Sequence, residues 1–194
     1  MLKSVRIILA IAAYFNYEIW QMEVKTAFLN GNLTEDVYMM QPEGFVDPTN
    51  AGKICKLQKS IYGLKQASRQ WYLKFDETIR KFGFKENEED NCIYAKFRSG
   101  KFIFLILYVD DILLASSDVG LLLETKKFLS SNFDMKDLGE ASFVLGIEIH
   151  RDRTKGVLGL SQKAYLEKVL KKYSMHMCKP SPAPIVKGDR FGKF

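Results

Sequence analysis

The alternation of apolar and polar residues predicts the helices and strands of the chain. Apolar residues recur at helical spacing in four segments, which predicts helices over residues 1–15, 67–82, 118–132 and 161–173. Short apolar runs bounded by turn residues predict strands over 19–24, 37–41, 92–97, 102–115, 143–150 and 157–160. The residues expected on the buried faces of the first and last helices are Val5, Ile8, Leu9, Ala12 and Phe15, and Tyr165, Leu166, Val169 and Leu170.

The first fifteen residues permit two interpretations. Lys3 and Arg6 precede an apolar run, and Ala10-Ile11-Ala12 offers a cleavage site, as in a secretory signal peptide. The helical spacing instead favours a buried helix, and the basic charge and reduced-looking cysteines argue against secretion. The apolar run is too short to span a bilayer.

The central elements follow the order strand, helix, strand, strand, helix, strand. This order is typical of the ferredoxin-like βαββαβ arrangement, so the sequence predicts an α+β fold. Many unrelated functions share this arrangement, and function must therefore be inferred from the site residues. Pro180, Pro182 and Pro184 predict an extended tail that resembles a linker.

Composition and charge narrow the class of protein. The 194 residues are 47% hydrophobic and 27% charged, as in globular proteins and unlike disordered chains. A formal net charge of +6 favours an anionic partner. Three widely spaced cysteines indicate reduced thiols, which predicts an intracellular, cytoplasmic protein. The two histidines lie in no zinc-like pattern, which argues against structural zinc and against a Ser-His-Asp hydrolase.

Two adjacent carboxylates, Asp110 and Asp111, interrupt the apolar run from Phe102 to Ala115. Burying two like charges side by side is unfavourable, and a divalent cation is the simplest compensation. Oxygen ligands without nearby His or Cys favour Mg²⁺, with Mn²⁺ as a substitute. A solvent-exposed turn is the alternative interpretation. Glu23 in the predicted strand 19–24 offers a third carboxylate, although a lone glutamate there is more often a surface residue.

A basic segment without acids covers residues 53–75, and it is interleaved with Tyr62, Trp71 and Tyr72. Basic and aromatic side chains together suit phosphate contacts and base stacking. A solvated basic face explains the same composition, so this pattern alone leaves both interpretations open.

Five segments of the chain together carry a family resemblance. Three of them are residues 21–31 (QMEVKTAFLNG), 61–67 (IYGLKQA) and 108–111 (YVDD), and two later ones are 136–140 (KDLGE) and 145–149 (LGIEI). They resemble motifs of the copia-type LTR-retrotransposon reverse transcriptases, and the residues of these segments are most similar to those of plant Pol polyproteins. A lone YxDD is weak evidence, whereas five segments in family order over almost the whole chain are specific.

The resemblance implies the right-handed polymerase fold and RNA-directed DNA polymerase activity. Part of the fingers and the palm would cover about residues 1–142, with the βαββαβ core as the palm. A primer-grip hairpin and the start of the thumb would cover about 143–175, and a linker tail 176–194. In the family, carboxylates at the positions of Glu23, Asp110 and Asp111 surround two Mg²⁺ ions, and the nucleotidyl group is transferred to a primer 3′-hydroxyl.

The same resemblance implies roles for individual residues. Lys136 would donate a proton to pyrophosphate, although an exposed lysine without this role is the simpler interpretation. Phe28 would pack under the deoxyribose and exclude a 2′-hydroxyl, although one Phe among 14 is more often a core residue. The other implied nucleotide-binding residues are Gly63 and Gln66, and those implied to lie near nucleic acid are Lys65, Arg69 and Gly146.

The implied partners are an RNA or DNA template with its primer and deoxynucleoside triphosphates, with no membrane. The ribonuclease H and integrase parts of Pol lie outside this sequence. Glu23 stands where the family has aspartate, and Ser68 stands where it usually has proline. The basic fingers segment expected upstream is also outside the sequence. We therefore expect a fragment with weak or no activity as it stands.

Other functions remain open at this point. A non-catalytic nucleic-acid-binding relic of the same fold would keep the basic surface without the chemistry. An RNA-recognition-motif module shares the βαββαβ order but needs a K/R-G-F/Y-like run that this sequence lacks. A nucleotide cyclase would also use two metals, but its Gly-Gly-rich turn is missing from the sequence.

Overall fold

The computed structural model describes residues 2–179, so the predicted tail prolines, Pro180, Pro182 and Pro184, lie outside the described residues. The α-helices within this part are α1 (Leu2–Tyr14), α2 (Ala67–Lys81), α3 (Val119–Asn132) and α4 (Lys163–Lys172). The strands are β1 (Glu18–Val24), β2 (Tyr38–Met40), β3 (Ile54–Lys56), β4 (Lys85–Glu86), β5 (Ile93–Arg98), β6 (Lys101–Tyr108), β7 (Asp111–Ser116), β8 (Met135–Glu140), β9 (Phe143–Val144), β10 (Ile147–Asp152) and β11 (Val157–Ser161). A short 3₁₀ helix spans Ala27–Asn30. None of the helices in this described part is long and apolar enough to cross a membrane.

A six-stranded antiparallel sheet with the order β4-β5-β6-β7-β1-β8 forms the centre of the protein. The expected chain order of strand, helix, strand, strand, helix, strand is present as β1, α2, β6, β7, α3 and β8. β5 and β4 extend the sheet beyond β6. The protein is therefore a mixed α and β fold, as the sequence predicts.

Two strands of this core differ from the prediction. Residues 102–115 are not one strand, because the chain reverses at Val109-Asp110 to give β6 and β7. The last strand of the core is β8 rather than 143–150, a segment that itself reverses at Leu145-Gly146 into β9 and β10. Apolar content predicts strand conformation but does not show where a strand reverses, and β8 is too polar to be recognised by this criterion. The pattern of apolar residues also did not indicate β3 or β4.

Hydrophobic layers cover both faces of the central sheet. On one face, α2 and α3 pack through Trp71, Phe75, Ile79, Leu122 and Leu129. On the other face, α1 packs through Val5, Ile8, Leu9 and Ala12, which confirms the predicted helix. Phe15, which was expected to share this buried face, is exposed because α1 ends at Tyr14.

A second sheet with the strand order β11-β10-β9 lies beside α1. Arg151 on β10 ties this sheet to the end of α1 by donating hydrogen bonds to the carbonyl oxygens of Ala12 and Tyr17. The helix α4 was predicted correctly, but the structure buries none of its residues. Its expected core face is exposed or half-buried: Tyr165, Leu166, Val169 and Leu170.

Gly31 allows the 3₁₀ helix to pack directly against α2. A Cβ atom at Gly31 would lie 2.9 Å from Gln70 Cβ and 3.1 Å from the backbone nitrogen of Trp71. Because the backbone of a packed helix cannot move aside easily, we expect Gly31→Ala to lower the free energy of unfolding by about 1–3 kcal/mol. Denaturant unfolding measures this loss. Gly52→Ala is the matched control, since no described atom lies within 4 Å of its added Cβ. Equal losses in both variants would contradict the packing argument.

Candidate active site

The residues of three sequence motifs meet at one end of the central sheet. Asp111 on β7 lies opposite Glu23 on β1, and Glu23 lies opposite Lys136 on β8. Directly opposed residues of an antiparallel pair point to the same face, with Cβ atoms about 4.5–5.5 Å apart. Asp111, Glu23 and Lys136 therefore form a row on one face of the sheet. This is the face that α1 covers at the other end of β1, where Ile19 is buried.

A two-residue hairpin turn carries the paired aspartates. Tyr108 pairs with Asp111, which leaves Val109 and Asp110 as the connecting residues. The backbone N–H of Val24 donates to the carbonyl oxygen of Asp110 at 2.7 Å and ties the turn to β1. Val109 has a φ of 57°, a left-handed conformation that β-branched residues rarely adopt. Backbone strain is therefore located directly beside both aspartates.

Asp110, Asp111 and Glu23 are half-buried and form an acidic cluster. Burial raises the pKa of the Asp111 carboxyl, and the negative charges of Asp110 and Glu23 raise it further. Gln21 Nε2 donates a hydrogen bond of 3.1 Å to Asp111 Oδ1, which opposes this increase by stabilising the carboxylate. The ionised cluster is therefore short of positive charge. The sequence pattern alone did not single out Gln21. The available signal was its spacing of two residues from Glu23, which places both side chains on one face of the strand.

The chemistry of this cluster fits a divalent metal, although the cluster is not a preformed cage. Among residues 2–179, no three Asp, Glu, His or Cys side chains converge closely enough to hold a metal ion by themselves. Mg²⁺ usually binds through one or two carboxylates and keeps water and substrate phosphates as its other ligands. Asp110, Asp111 and Glu23 supply carboxylate donors of this kind, and Mn²⁺ accepts the same oxygen ligands.

Phe28 lies on the 3₁₀ helix that follows β1, and its half-buried ring contacts the ring of Tyr62. The two ring centroids are 4.3 Å apart. The next residue, Gly63, has a φ of 97°, and no described atom lies within 4 Å of where its Cβ would be. Gln66 Oε1 accepts a hydrogen bond of 3.0 Å from the Thr34 hydroxyl. The structure thus joins Phe28 to the second motif through Tyr62, for which the sequence had indicated no individual role.

The residues expected near nucleic acid lie on the surface of the protein. Lys65 and Arg69 are exposed where α2 begins, and neither forms an ion pair within residues 2–179. Gly146 is on the turn between β9 and β10, in the three-stranded sheet, with a φ of 76°. All three are accessible at the surface.

Lys136 is exposed, and its neighbour Asp137 anchors β8 to the sheet and to α3. Asp137 Oδ1 accepts a hydrogen bond of 2.5 Å from the Trp20 indole, and Oδ2 lies 2.6 Å from Lys126 Nζ. Burial alone would raise the pKa of Asp137, but these contacts and the backbone N–H of Gly139 hold this pKa below its ordinary value. The anchor fixes the strand that carries Lys136.

We expect Asp137→Asn to lower the unfolding temperature by a few degrees at neutral pH. An aspartate whose pKa is lower in the folded protein stabilises the fold above its unfolded pKa, and this contribution disappears as the pH falls through the folded pKa. The difference between variant and parent should therefore shrink as the pH falls through the ordinary aspartate value of 3.8 and below. Thermal unfolding from neutral to acidic pH measures both effects.

Asp134→Asn is the matched control for this prediction. Asp134 Oδ1 pairs with Lys25 Nζ at 3.0 Å, but both side chains are largely exposed, so this ion pair contributes little. We expect Asp134→Asn to have almost the same unfolding temperature as the parent chain at any pH. A loss in Asp137→Asn that is independent of pH would contradict the electrostatic origin of the anchor.

Comparison with known proteins identifies the family of the chain. A family model described as reverse transcriptase (RNA-dependent DNA polymerase) matches residues 1–187. The retrovirus-related Pol polyprotein from transposon TNT 1-94 of Nicotiana tabacum is 48% identical over 94% of this chain. The retrovirus-related Pol polyprotein from transposon RE1 of Arabidopsis thaliana is 38% identical over 98% of it. The putative transposon Ty5-1 protein YCL074W of Saccharomyces cerevisiae is 34% identical over 84%. No solved structure matches the chain.

The chain spans only a small part of its plant relatives. It covers 14% of the tobacco polyprotein, 13% of the Arabidopsis polyprotein and 53% of the yeast protein. The similarity therefore concerns one portion of a much longer polyprotein.

Proposed function

The chain belongs to the reverse transcriptase (RNA-dependent DNA polymerase) family, and we propose that it contributes the catalytic centre for RNA-directed DNA synthesis. The observation that carries this proposal is the row of Asp111, Glu23 and Lys136 on neighbouring strands of one sheet face. A pair of acids on a turn, opposite a third acid on the next strand, provides the carboxylates that two-metal nucleotidyl transfer requires.

The architecture supports a division into the parts of a right-handed polymerase. We assign the central sheet with α2 and α3 to the palm, because it contains the βαββαβ order and the acidic cluster. The β2–β3 hairpin and the 3₁₀ helix would belong to the partial fingers, within residues 1–142. The hairpin of β9 and β10 would be the primer grip, and α4, whose apolar face is exposed, would begin the thumb within residues 143–175.

Asp110, Asp111 and Glu23 would hold two Mg²⁺ or Mn²⁺ ions jointly with the phosphates of a deoxynucleoside triphosphate. When bound, these ions would supply Lewis acidity that lowers the pKa of the primer 3′-hydroxyl and stabilises the leaving pyrophosphate. The protein itself would mainly position the reacting groups, because phosphoryl transfer requires little covalent chemistry from protein side chains. The hydrogen bond from Gln21 orients the Asp111 carboxylate towards Glu23's strand. Lys136 Nζ would donate a proton to the pyrophosphate.

The aromatic pair of Phe28 and Tyr62 would form the wall under the sugar of the incoming nucleotide. The distance of 4.3 Å between their ring centroids supports this role, because a ring packed against a second ring resists displacement by a 2′-hydroxyl. Gly63 would allow the nucleotide to approach the backbone closely. Gln66, held by Thr34, would lie at the same nucleotide.

An RNA or DNA template with its primer would bind through the exposed basic surface. Lys65 and Arg69 are accessible and carry no ion-pair partner within residues 2–179, so they are available for phosphates. Gly146 on its exposed turn would contact the primer strand.

The test is the extension of a labelled primer on RNA and DNA templates with deoxynucleoside triphosphates and Mg²⁺ or Mn²⁺. Two proteins are compared, the chain as it stands and a chimera in which the upstream segment of the tobacco relative precedes residue 1. We expect metal-dependent extension by the chimera and little by the chain alone, because cations that grip the triphosphate are expected in the upstream segment. A chimera that folds and does not extend the primer would overturn the catalytic proposal.

A non-catalytic nucleic-acid-binding relic is the second candidate function. It is supported by the exposed side chains of Lys65 and Arg69, which would bind phosphates without any chemistry at the acidic cluster. Both functions predict template-primer binding whose affinity falls steeply with salt, because phosphate neutralisation releases counterions. Template-primer binding without extension by the chimera would therefore identify the relic, whereas extension by the chimera would exclude it.

A further inference from the structure

We propose that Trp71 is a positioning residue for the acidic turn, a role that rests on the proposed function and extends it. Trp71 is on α2, is 2% exposed, and lies in the hydrophobic layer between this helix and the sheet. Its indole N–H donates a hydrogen bond of 2.6 Å to the carbonyl oxygen of Val109. The sequence pattern offered Trp71 as one of the aromatic residues that suit base stacking, but its side chain is buried in the structure and its indole N–H bonds to the turn instead.

Val109 is the residue of the turn whose backbone is strained. A β-branched residue at a φ of 57° persists only where the surrounding structure holds it. The strand pair of Tyr108 with Asp111 closes the turn, and Val24 holds the carbonyl oxygen of Asp110. The Trp71 bond acts on the carbonyl group of the strained residue itself. It therefore opposes the rotation that would return Val109 to a negative φ.

The indole donor is itself held rigidly. The Trp71 ring lies edge-on to Phe133, with centroids 5.2 Å apart, and 5.5 Å from the ring of Phe75. Gly31 permits close contact of the 3₁₀ helix with the backbone of Trp71. A buried N–H without an acceptor is unfavourable, so the bond to Val109 is also required by the core. The helix layer thus fixes the turn from the side opposite the acidic cluster.

Relaxation of Val109 would move both aspartates relative to Glu23. A displacement of about 1 Å at a reacting centre can reduce the rate by roughly 10²-fold. Trp71→Phe removes the N–H but keeps an aromatic ring, so we expect kcat of the extending chimera to fall about 10- to 100-fold. KM for the nucleotide should change little, because the sugar wall of Phe28 and Tyr62 is untouched.

The role of Trp71 predicts a specific coupling to Val109→Gly. Glycine adopts a positive φ without steric cost, so a turn with glycine needs no external hold. In the Val109→Gly background we expect Trp71→Phe to reduce kcat by less than about threefold. Phe75→Leu is the matched control, since it disturbs the same buried layer without a bond to the turn. Phe75→Leu should reduce kcat by the same factor in the parent and in the Val109→Gly background.

Unfolding midpoints of the parent chain and the same variants provide a readout that requires no activity. Trp71→Phe should lower the midpoint more in the parent than in the Val109→Gly background. If Trp71→Phe does not fold, β-(3-benzothienyl)alanine at position 71 keeps the shape of the indole without its N–H. Coupling in unfolding with no primer extension by any protein would support the turn geometry and reject the proposed function. Primer extension with equal losses of kcat in both backgrounds would overturn the positioning role alone.

Discussion

Asp110→Asn is expected to reduce primer extension by the chimera at least about 10³-fold, because it removes a carboxylate from the proposed metal site. The same substitution should also change the response of the chain's thermal stability to metal ions, in the absence of nucleic acid. Mg²⁺ or Mn²⁺ should raise the unfolding temperature of the parent chain, since an ion that binds only the folded state stabilises it. Asp110→Asn should remove this rise. Differential scanning fluorimetry with and without each metal measures the shift.

Asp134→Asn controls for the loss of one negative charge. Asp134 is exposed and lies just before β8, outside the acidic cluster. We expect its metal-induced shift and its rate of extension to equal those of the parent. If the metals shift the parent and Asp110→Asn equally, the acidic cluster is not their binding site.

Glu23→Asp is expected to increase the rate of extension by the chimera about 10²-fold with Mg²⁺. Glutamate carries one methylene group more than aspartate, so its carboxylate reaches about 1 Å further from the same backbone position. Glu23 lies directly opposite Asp111, so the extra reach changes the spacing between two ligands of one proposed site. Mg²⁺ requires near-ideal octahedral geometry, so Glu23 should reduce the rate of extension most with Mg²⁺. Mn²⁺ should partly restore the rate of the parent chimera. Steady-state extension rates with each metal measure both effects.

Glu18→Asp is the matched control, because Glu18 begins the same strand at its opposite end. We expect it to leave the ratio of Mg²⁺ to Mn²⁺ rates unchanged. Equal rates for the parent chimera and Glu23→Asp would exclude Glu23 as the cause of weak activity and leave the upstream segment responsible. Robust extension by the parent chain alone would show that neither feature limits it.

Local patterns predicted most of the helices and strands but placed some of them wrongly in the sheet. Helical spacing located α1, α2 and α3, because burial on one side of a helix imposes a period of 3.6 residues. It also located α4, although none of the residues of α4 is buried. The apolar run over 102–115 concealed the reversal at Val109-Asp110, since both strands are buried and the turn residue is a valine rather than a glycine. Strand β8 escaped detection because Met135 and Leu138 are the two apolar residues of its six, so its apolar and polar positions do not alternate.

The acidic site was predictable in its chemistry but not in its geometry. Asp110 and Asp111 are recognisable because two charges in an apolar run need compensation. Glu23 was offered as a third carboxylate by its place in a predicted strand, whereas Lys136 was implied only by the family resemblance. The positions of both residues beside Asp111 follow from strand pairing. Gln21 carried a weak signal, namely its spacing of two residues from Glu23 on one strand.

The sequence by itself determined the family, the periodic elements and the identity of the acidic residues, because these depend on residue type and local spacing. The tertiary structure alone decided that Asp111, Glu23 and Lys136 stand side by side, and that Trp71 holds the strained turn at Val109, 38 residues away. It also decided that the apolar face of α4 stays exposed. The physical reason is that register and burial arise from hydrogen bonds and packing between distant segments, which no local period records.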